Sequence, residues 1–501
     1  MNIAFRVDAS AQIGTGHLIR CLTLADALQN LGAHTRFLCR HISPFLSAQI
    51  TQAGHELVTL PAADSSGEGD YGAWLGASQD QDAADTNAAL KDRDWDWLAV
   101  DHYALDARWE EAVRPISRKL LVIDDLANRP HDCDVLVDQN LASTSDRYKQ
   151  LIPAASRRFE GPAYALLRPE FRLAREGQTG VRKGLNIFFG GIDAAGVTSQ
   201  VLDVIAAMPE REFAVDVISG KDNPRLEELR RKCAALAATA LHVQPPSMAA
   251  LFAHAALALG AGGTTSWERC CMGLPTIILS VAQNQLAGSA ALTRARAAID
   301  MGPLEQFSAE RLSALLIRLM AKPWLLAAMA RRARALVDGR GAERISVHLM
   351  RKNVRLHPAR YDDARQAWEW RNDKIIRHNS FDPAPLSWEH HLIWWDKAIQ
   401  AADRSLLMAR LGNQNVGILR FDKQGDEALV SVYLDPGLTG LGLGHAILCA
   451  GESWLRTARP AIRAIRAEIL SDNVASVRSF EAAGYRPQEG RAAWIRRLFV
   501  S

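Results

Sequence analysis

The sequence predicts an α/β chain in three parts: two open, mostly parallel sheets flanked by helices, then a smaller α+β domain. Three observations carry that expectation. At 501 residues the chain is too long for one hydrophobic core, so two or three domains are required. Up to about Gly341, short apolar runs alternate with longer segments of helical period, the pattern of repeated βα units. Near Asn353 the alternation stops and tryptophan becomes dense, at Trp368, Trp370, Trp388, Trp394 and Trp395.

In the first part the expected strands are Ile3–Val7, Thr35–Cys39, Trp97–Val100, Leu120–Ile123 and Val135–Val137. A helix from about His17 to Asn30 places Leu18, Cys21, Leu22, Ala25 and Leu28 on one face, and Gly32 stands where a C-cap glycine belongs. A second α/β unit begins after the polar stretch Arg172–Gly184. Its expected strands are Asn186–Phe189, Ala214–Ile218, Ala240–Val243, Ala256–Leu259 and Thr276–Leu279, closed by the helical segment Ala309–Gly341. In the third part strands are expected at Leu406–Leu411, Gly417–Phe421 and Ala428–Leu434. A glycine-rich loop, a helix, the strand Ala464–Leu470 and a final helix follow. The expected domains are residues 1–175, 176–350 and 351–501.

Composition narrows the classes of function. With 48% hydrophobic and 23% charged residues the chain reads as an ordinary globular protein. The net charge of +3 is spread without a basic tail, so no nucleic-acid partner is expected. The cluster Arg331-Arg332-Ala333-Arg334 falls in an Ala-rich helical pattern and reads as a solvated helix face. Seven scattered cysteines, with Cys270-Cys271 as packing residues and no CxxC pair, point to reduced thiols in a cytoplasm. Met1-Asn2-Ile3-Ala4-Phe5 lacks a signal-peptide pattern, and no apolar run reaches the roughly 18 residues that span a bilayer. No membrane partner is expected.

Two tandem Rossmann-like units leave a cleft at the carboxyl ends of their sheets, where ligands bind in open α/β folds. The first strand runs into Asp8-Ala9-Ser10-Ala11-Gln12-Ile13-Gly14-Thr15-Gly16-His17. Gly14 and Gly16 let the backbone approach a ligand, and the following helix offers free N–H groups to an anion. A dinucleotide fingerprint fails here: Ile19 holds the third glycine position, and the second strand ends in Arg40 rather than an acid. His17 sits on the first helical turn, where the helix terminus favours a neutral imidazole. In the second unit, Gly260-Ala261-Gly262-Gly263-Thr264-Thr265-Ser266-Trp267-Glu268 follows a strand and opens a helix. Amides near Gly263, Thr264 and Thr265 suit a diphosphate, and Glu268 can accept hydrogen bonds from a ribose diol. Gln283-Asn284-Gln285 follows at the end of the next strand. Asp94-Trp95-Asp96 imitates a metal-binding acidic pair but precedes its strand, on the end away from the cleft, and reads as a solvated loop.

The run Gly263-Thr264-Thr265-x-x-Glu268, then Gly273-x-Pro275 and Asn284-Gln285, resembles the UDP site of GT-B glycosyltransferases. The opening Phe5-Arg6-x-Asp8-x-Ser10-x-x-Ile13-Gly14-x-Gly16-His17-x-x-Arg20 resembles the UDP-sugar hydrolases of pseudaminic acid synthesis. Asp101-His102-Tyr103, Asp124-Asp125, Tyr164-Ala165-Leu166-Leu167-Arg168 and Phe189-Gly190-Gly191-Ile192-Asp193 match further. The resemblance covers about residues 1–300. It implies hydrolysis of UDP-2,4-diacetamido-2,4,6-trideoxy-β-L-altropyranose to UDP and the free sugar, with His17 as base and inversion at the anomeric carbon. Gly14, Gly16, Arg20, Tyr103, Gly263, Thr264, Thr265, Glu268, Gln283, Asn284 and Gln285 are then the substrate-binding candidates, and no metal is expected.

In the third part, Leu434-Asp435-Pro436-Gly437-Leu438-Thr439-Gly440-Leu441-Gly442-Leu443-Gly444 joins a strand to a helix, and its amides form a nest for a pyrophosphate. Asn473-Val474-Ala475-Ser476-Val477-Arg478-Ser479-Phe480-Glu481-Ala482-Ala483-Gly484-Tyr485 begins 29 residues past Gly444. The two elements in this order resemble the GNAT acetyltransferases. The resemblance implies acetyl-CoA as co-substrate, held by Tyr433, Leu434, Thr439, Gly440, Gly442, Gly444, Asn473, Ser476 and Phe480. Thr439 replaces the usual Gln or Arg, and Phe480 the Tyr that often protonates the leaving thiolate; water or Tyr485 must then serve, or no group does. Trp370-Arg371-Asn372-Asp373, Asn379-Ser380-Phe381 and Trp388-Glu389-x-His391 resemble the substrate side of GNAT enzymes that acetylate amino sugars. His390-His391 shows no third metal ligand at useful spacing. The alternatives are a true glycosyltransferase with a GNAT portion that only binds coenzyme A, or a hydrolase of a different UDP-diacetamido sugar.

Overall fold

A computed structural model of the chain describes residues 1–10, 13–62, 71–141, 146–178, 180, 182–208, 211–488 and 493–498. Ala11 and Gln12 of the His17 loop, and Thr179 and Val181 of the polar stretch, therefore lie outside the described residues. The chain divides into two compact units, Met1–Asp26 with His34–Ala342, and Ala27–Ala33 with Glu343–Ser501.

The first unit holds two parallel sheets. The first contains β1 (Asn2–Val7), β2 (His34–Cys39), β3 (Glu56–Thr59), β4 (Trp97–Asp101), β5 (Leu120–Ile123), β6 (Val135–Asp138) and β7 (Arg157–Glu160), in the order β3-β2-β1-β4-β5-β6-β7. The second contains β8 (Leu185–Phe188), β9 (Val215–Ser219), β10 (Thr239–Val243), β11 (Leu257–Gly260), β12 (Thr276–Ser280) and β13 (Ala298–Pro303), in the order β10-β9-β8-β11-β12-β13. Their central strands are buried on both faces, which is why they read as continuous apolar runs. Strand order reverses between β1 and β4 in the first sheet and between β8 and β11 in the second. Those two switch points are where open α/β sheets leave a crevice.

The edges are where periodicity gave no warning. β3, β7 and β13 are not among the expected strands; β3 and β7 are four residues long, β3 exposed at both ends and β7 over its first two residues, and β13 is half-buried through much of its length, so none carries a clean apolar run. Helix Gly16–Asn30 ends as expected: Gly32 takes φ +88° and its amide donates to the Gln29 carbonyl. The segment closing this unit is two helices, Ala309–Met320 and Pro323–Leu336, and Gly341 opens a further helix to Met350 rather than ending the run. In the basic cluster Arg331 and Arg332 are exposed, while Arg334 turns back to donate to the Arg175 carbonyl.

The second unit holds one mixed sheet: β14 (Arg355–Pro358), β15 (Arg404–Leu411), β16 (Gln414–Gln424), β17 (Glu427–Leu434), β18 (Ala464–Glu468), β19 (Arg486–Pro487) and β20 (Ala493–Arg497), in the order β14-β15-β16-β17-β18-β20-β19. β14–β17 form an antiparallel run, and β17 pairs with β18 in parallel. The expected final helix, Val474–Ala482, is not the last element; β19 and β20 follow and pair antiparallel. Trp370 and Trp395 belong to the core, with Ala364, Ala367 and Met408. Six cysteines are buried, Cys449 is exposed, and none is bridged. Among the described residues no single helix is long and apolar enough to cross a membrane.

Candidate functional site

The two switch points of the first unit face each other. A Cβ placed on Gly16, after β1, would lie 3.5 Å from Thr264 Oγ1, after β11. The Asn284 amide donates to the Tyr103 hydroxyl at 3.4 Å, again joining the two halves. The loop after β1 and the loop after β11 thus frame one cleft.

His17 is 9% exposed on the first turn of its helix, and its Nδ1 lies 2.6 Å from Asp101 Oδ1, at the carboxyl end of β4. Asp101 also accepts from Arg20, Nε to Oδ2 and Nη2 to Oδ1, each at 2.6 Å, and from Cys21 Sγ at 3.6 Å. Burial alone would push the Asp101 carboxyl up; the Arg20 guanidinium, and after it His17, hold it well below the usual carboxylate range. An ionised Asp101 can only accept, so its contact places the proton on Nδ1; Arg20 Nη2, 3.1 Å from that nitrogen, then donates to Asp101 and not to the ring, and Nε2 keeps its lone pair directed away from the carboxylate. Arg20 continues to Asp125 at 2.9 Å, and Asp125 accepts from the Tyr103 hydroxyl at 2.7 Å. Burial, then the Asp125 charge, pushes the Tyr103 phenol well up, so it stays a donor. The Tyr103 ring meets His17 edge-on at 4.6 Å and lies against Tyr71 and Trp74. Arg20 is 1% exposed, so it acts by positioning Asp101 and Asp125.

Across the cleft, Gly263, Thr264 and Thr265 lead into the helix Thr265–Cys271; the Ser266 and Trp267 amides already donate to the Gly263 and Thr264 carbonyls, so the amides a ligand could use are those of Gly263–Thr265 themselves. Gln285 Oε1 accepts from both the Gly262 and Val281 amides at 3.1 Å. That oxygen ties the glycine loop to the end of β12, so Gln285 shapes the site rather than presenting its carbonyl to a sugar. Gln283 and Asn284 are exposed on a short 3-10 turn. Glu268 is half-buried; burial pushes its carboxyl up to about 7, with Arg168 opposing.

The sequence reading missed Asp101 and Asp125 as site residues. The signal was present: an acid closing an apolar strand pattern at its carboxyl end, as in Leu98–Asp101 and Val122–Asp125. Of the run Asp94-Trp95-Asp96, read as a solvated loop, Asp94 is 92% exposed at the opposite end of β4, but Trp95 is buried with its indole donating to the Leu90 carbonyl, and Asp96 accepts from the Asn2 amide. Arg40, where a dinucleotide site needs an acid, is buried against Asp82 and Asp85.

In the second unit, β17 pairs with β18 only over Glu427–Val430. Among the described residues no strand pairs with that edge of Ser431–Leu434. Gly440 and Gly442 take φ +77° and +83°, and Gly442 caps the helix Leu443–Ala458. Gly444 is the second residue of that helix, where a Cβ would meet Ser479 Oγ at 3.0 Å, so this glycine serves the packing of two helices. Thr439 is exposed, and its hydroxyl donates to the Pro436 carbonyl. Asn473 Oδ1 accepts from the Ser476 amide at 3.1 Å, capping the last helix. Tyr433 is half-buried with its hydroxyl 3.4 Å from the Ala367 carbonyl, and Leu434 follows it on the open edge. Phe480 is 4% exposed and packs edge-on against Tyr485 at 4.9 Å, so its ring is core, not cofactor surface. The Tyr485 hydroxyl is buried without a hydrogen-bond partner among the described residues. His391 is buried with Nε2 donating to the Ala364 carbonyl, and His390 is exposed.

Comparison with known proteins agrees with this division. Residues 365–485 match the model of the acetyltransferase (GNAT) family. The chain is 30% identical over 206 residues to the spore coat polysaccharide biosynthesis protein SpsG of Bacillus subtilis, across 40% of this chain; the match spans 61% of that relative's length. It is 25% identical over 232 residues to the UDP-2,4-diacetamido-2,4,6-trideoxy-beta-L-altropyranose hydrolase of Campylobacter jejuni, covering 46% of this chain and 74% of that protein. The Methanocaldococcus jannaschii protein MJ1062 is 20% identical over 99% of both chains. Among solved structures, MurG of Acinetobacter baumannii superposes with a TM-score of 0.50 at 16% identity, over 69% of this chain and 97% of that one. The first unit therefore has a GT-B-like fold of two Rossmann-like domains, and a GNAT domain follows it.

Proposed function

We propose that the chain is two enzymes in series: a UDP-sugar hydrolase in the first unit and an acetyl-CoA-dependent N-acetyltransferase in the second. The hydrolase substrate is UDP-2,4-diacetamido-2,4,6-trideoxy-β-L-altropyranose, and the acetyltransferase makes its precursor by acylating the 4-amino group of the UDP-4-amino sugar, as in pseudaminic acid synthesis.

One observation carries the hydrolase reading: a buried, ionised Asp101 orients His17 inside a cleft whose other wall is a phosphate-type loop. Asp101 fixes the Nδ1–H tautomer, so Nε2 takes a proton from water. The water oxygen bonds to the anomeric carbon as the bond from that carbon to the diphosphate oxygen breaks. UDP leaves with the electron pair, its charge met by the amides of Gly263–Thr265. Attack opposite the leaving group inverts the anomeric centre. Tyr103 and Asn284, which touch each other at the cleft, are the residues we assign to the sugar, and Glu268 to the ribose diol. For the acetyltransferase, the open edge of Ser431–Leu434 receives the pantetheine arm and the amides around Gly440–Gly442 the pyrophosphate.

The test is mass spectrometry of products from the purified chain with the UDP-diacetamido sugar in ¹⁸O-water, and with the UDP-4-amino sugar and acetyl-CoA. Labelled oxygen in the free sugar, and an acetylated UDP-sugar, are the expected results. No reaction without an added acceptor would favour a glycosyltransferase, which the MurG-like fold accommodates equally well. Turnover of only another UDP-diacetamido sugar would reassign the stereochemistry. Failure to consume acetyl-CoA with any 4-amino UDP-sugar would leave the GNAT domain a binding module.

A further inference from the structure

Three arginines stand among the largest fully buried side chains: Arg6, Arg20 and Arg269. Arg6 is paired with Asp8 and Asp82, and Arg20 with Asp101 and Asp125. Arg269 is 1% exposed and, among the described residues, has no carboxylate within 4 Å; its neighbour Glu268 acts on it only through its charge at longer range. Its Nη2 donates to the Ala261 carbonyl at 2.5 Å and to Ser266 Oγ at 3.1 Å, while Nε and Nη1 are buried with no hydrogen-bond partner among the described residues. Burial lowers the guanidinium only to about 10, so it stays charged at neutral pH. A buried charge without a counter-ion is costly, and folds neutralise or pair it unless something arriving later does so.

The place it occupies says what arrives. Arg269 lies on the second turn of the helix Thr265–Cys271 and reaches back under the glycine loop. It grips the carbonyl of the peptide joining Ala261 and Gly262, and Gln285 grips the N–H of the same peptide from the other side. In a trans peptide those groups point oppositely, so the two contacts fix the plane of the loop. The glycines have matching reasons. A Cβ on Gly260 would collide with Arg269 Nη1 and the Phe188 carbonyl, and one on Gly262 with Ser289 and Gln285. The amides of Gly263–Thr265 come next along this clamped loop.

We propose that Arg269 is the buried positive charge of the diphosphate subsite, which holds the loop in shape and makes it prefer a nucleoside diphosphate to a nucleoside. This rests on the UDP reading of the site. The guanidinium, with no carboxylate at ion-pair distance among the described residues, is a charge placed in advance behind the amides, in surroundings where its field is weakly screened.

Calorimetric titration of the full chain and its Arg269 variants with UDP, ADP, inorganic pyrophosphate and uridine tests the inference. Arg269→Gln keeps a donor for the Ala261 carbonyl and loses the charge; its UDP affinity should fall about tenfold or more while uridine affinity stays within about twofold. Arg269→Lys, which keeps the charge, should retain most of the preference for UDP. Arg269→Met should lose that preference without lowering the unfolding temperature, because it removes an unpaired buried charge. An unchanged UDP-to-uridine ratio in the Gln and Met variants overturns the proposal, as does an equal loss of both ligands. A wild-type chain that binds ADP or pyrophosphate in an Arg269-dependent way, but not UDP in preference, would sink the uridine assignment and keep the role of Arg269. Binding of no diphosphate at all would overturn both.

Discussion

At the scale of the residue, a histidine becomes a base when one ring nitrogen is committed to an acceptor. Asp101 supplies that acceptor, and Arg20 and Asp125 hold Asp101 in place. His17→Phe should therefore still bind UDP while losing nearly all turnover; near-normal turnover would remove His17 from the chemistry. Asp101→Asn can present an N–H to Nδ1 and so favour the wrong tautomer, and kcat should fall by about 10²–10⁴ with KM little changed. A loss confined to KM would make Asp101 a substrate ligand instead. Glu268 sets a pH dependence. Burial, with Arg168 opposing, raises its carboxyl from 4.5 to about 7 in the folded chain. The folded state thus keeps a proton that the unfolded state releases earlier. Its contribution to stability is full below about 4.5 and is lost as pH rises through about 7. Asp138 shifts in the same direction, to about 7, through burial. Between pH 5 and pH 8 the unfolding temperature of Glu268→Gln should accordingly fall less than that of the wild type, the Asp138 share remaining; parallel curves would contradict this.

At the scale of the element, both sites are strand–loop–helix joints, and each loop is shaped by residues that touch no ligand. Ser10, Asp8 and the β1 loop illustrate this on one side: Asp8 Oδ1 accepts the amides of Arg40 and His41, tying that loop to the end of β2. In the GNAT domain the joint depends on Gly442, whose φ of +83° is in the left-handed region and whose Cβ position lies 3.2 Å from Arg351. Gly442→Ala should cost about 1–2 kcal/mol and move the amides of the loop. Coenzyme A affinity should drop about tenfold or more, with hydrolysis of the UDP-sugar unchanged. Titration of coenzyme A alongside a hydrolase assay reads both, and an unaffected affinity would place the pyrophosphate elsewhere.

At the scale of the whole molecule, the chain has two compact units with separate cores and separate candidate ligands. A ligand that binds only the folded form of one unit stabilises that unit by about 2.7 kcal/mol at a hundred times its dissociation constant. Scanning calorimetry should therefore show one transition raised by UDP and a different one raised by coenzyme A. A single transition raised by either ligand would mean that the units unfold as one.

The sequence by itself determined the fold class and the two loops, for a physical reason. Buried parallel strands and glycine-rich joints are local features, legible as apolar runs, helical periods and glycine spacing. Hence His17, Gly14, Gly16 and Gly263–Glu268 could be singled out, and Asp94 set aside. Only the tertiary structure decided what those residues are bonded to. Asp101 reaches His17 across 84 residues and Tyr103 reaches Asn284 across 181, separations that no local pattern encodes. It also reassigned residues whose type suggested ligand contact: Gln285 clamps a loop, Asn473 caps a helix, Gly444 packs two helices and Phe480 is core. And it found Arg269, which reads in the sequence as one charge on a helix; its meaning comes from being buried with no carboxylate at ion-pair distance among the described residues.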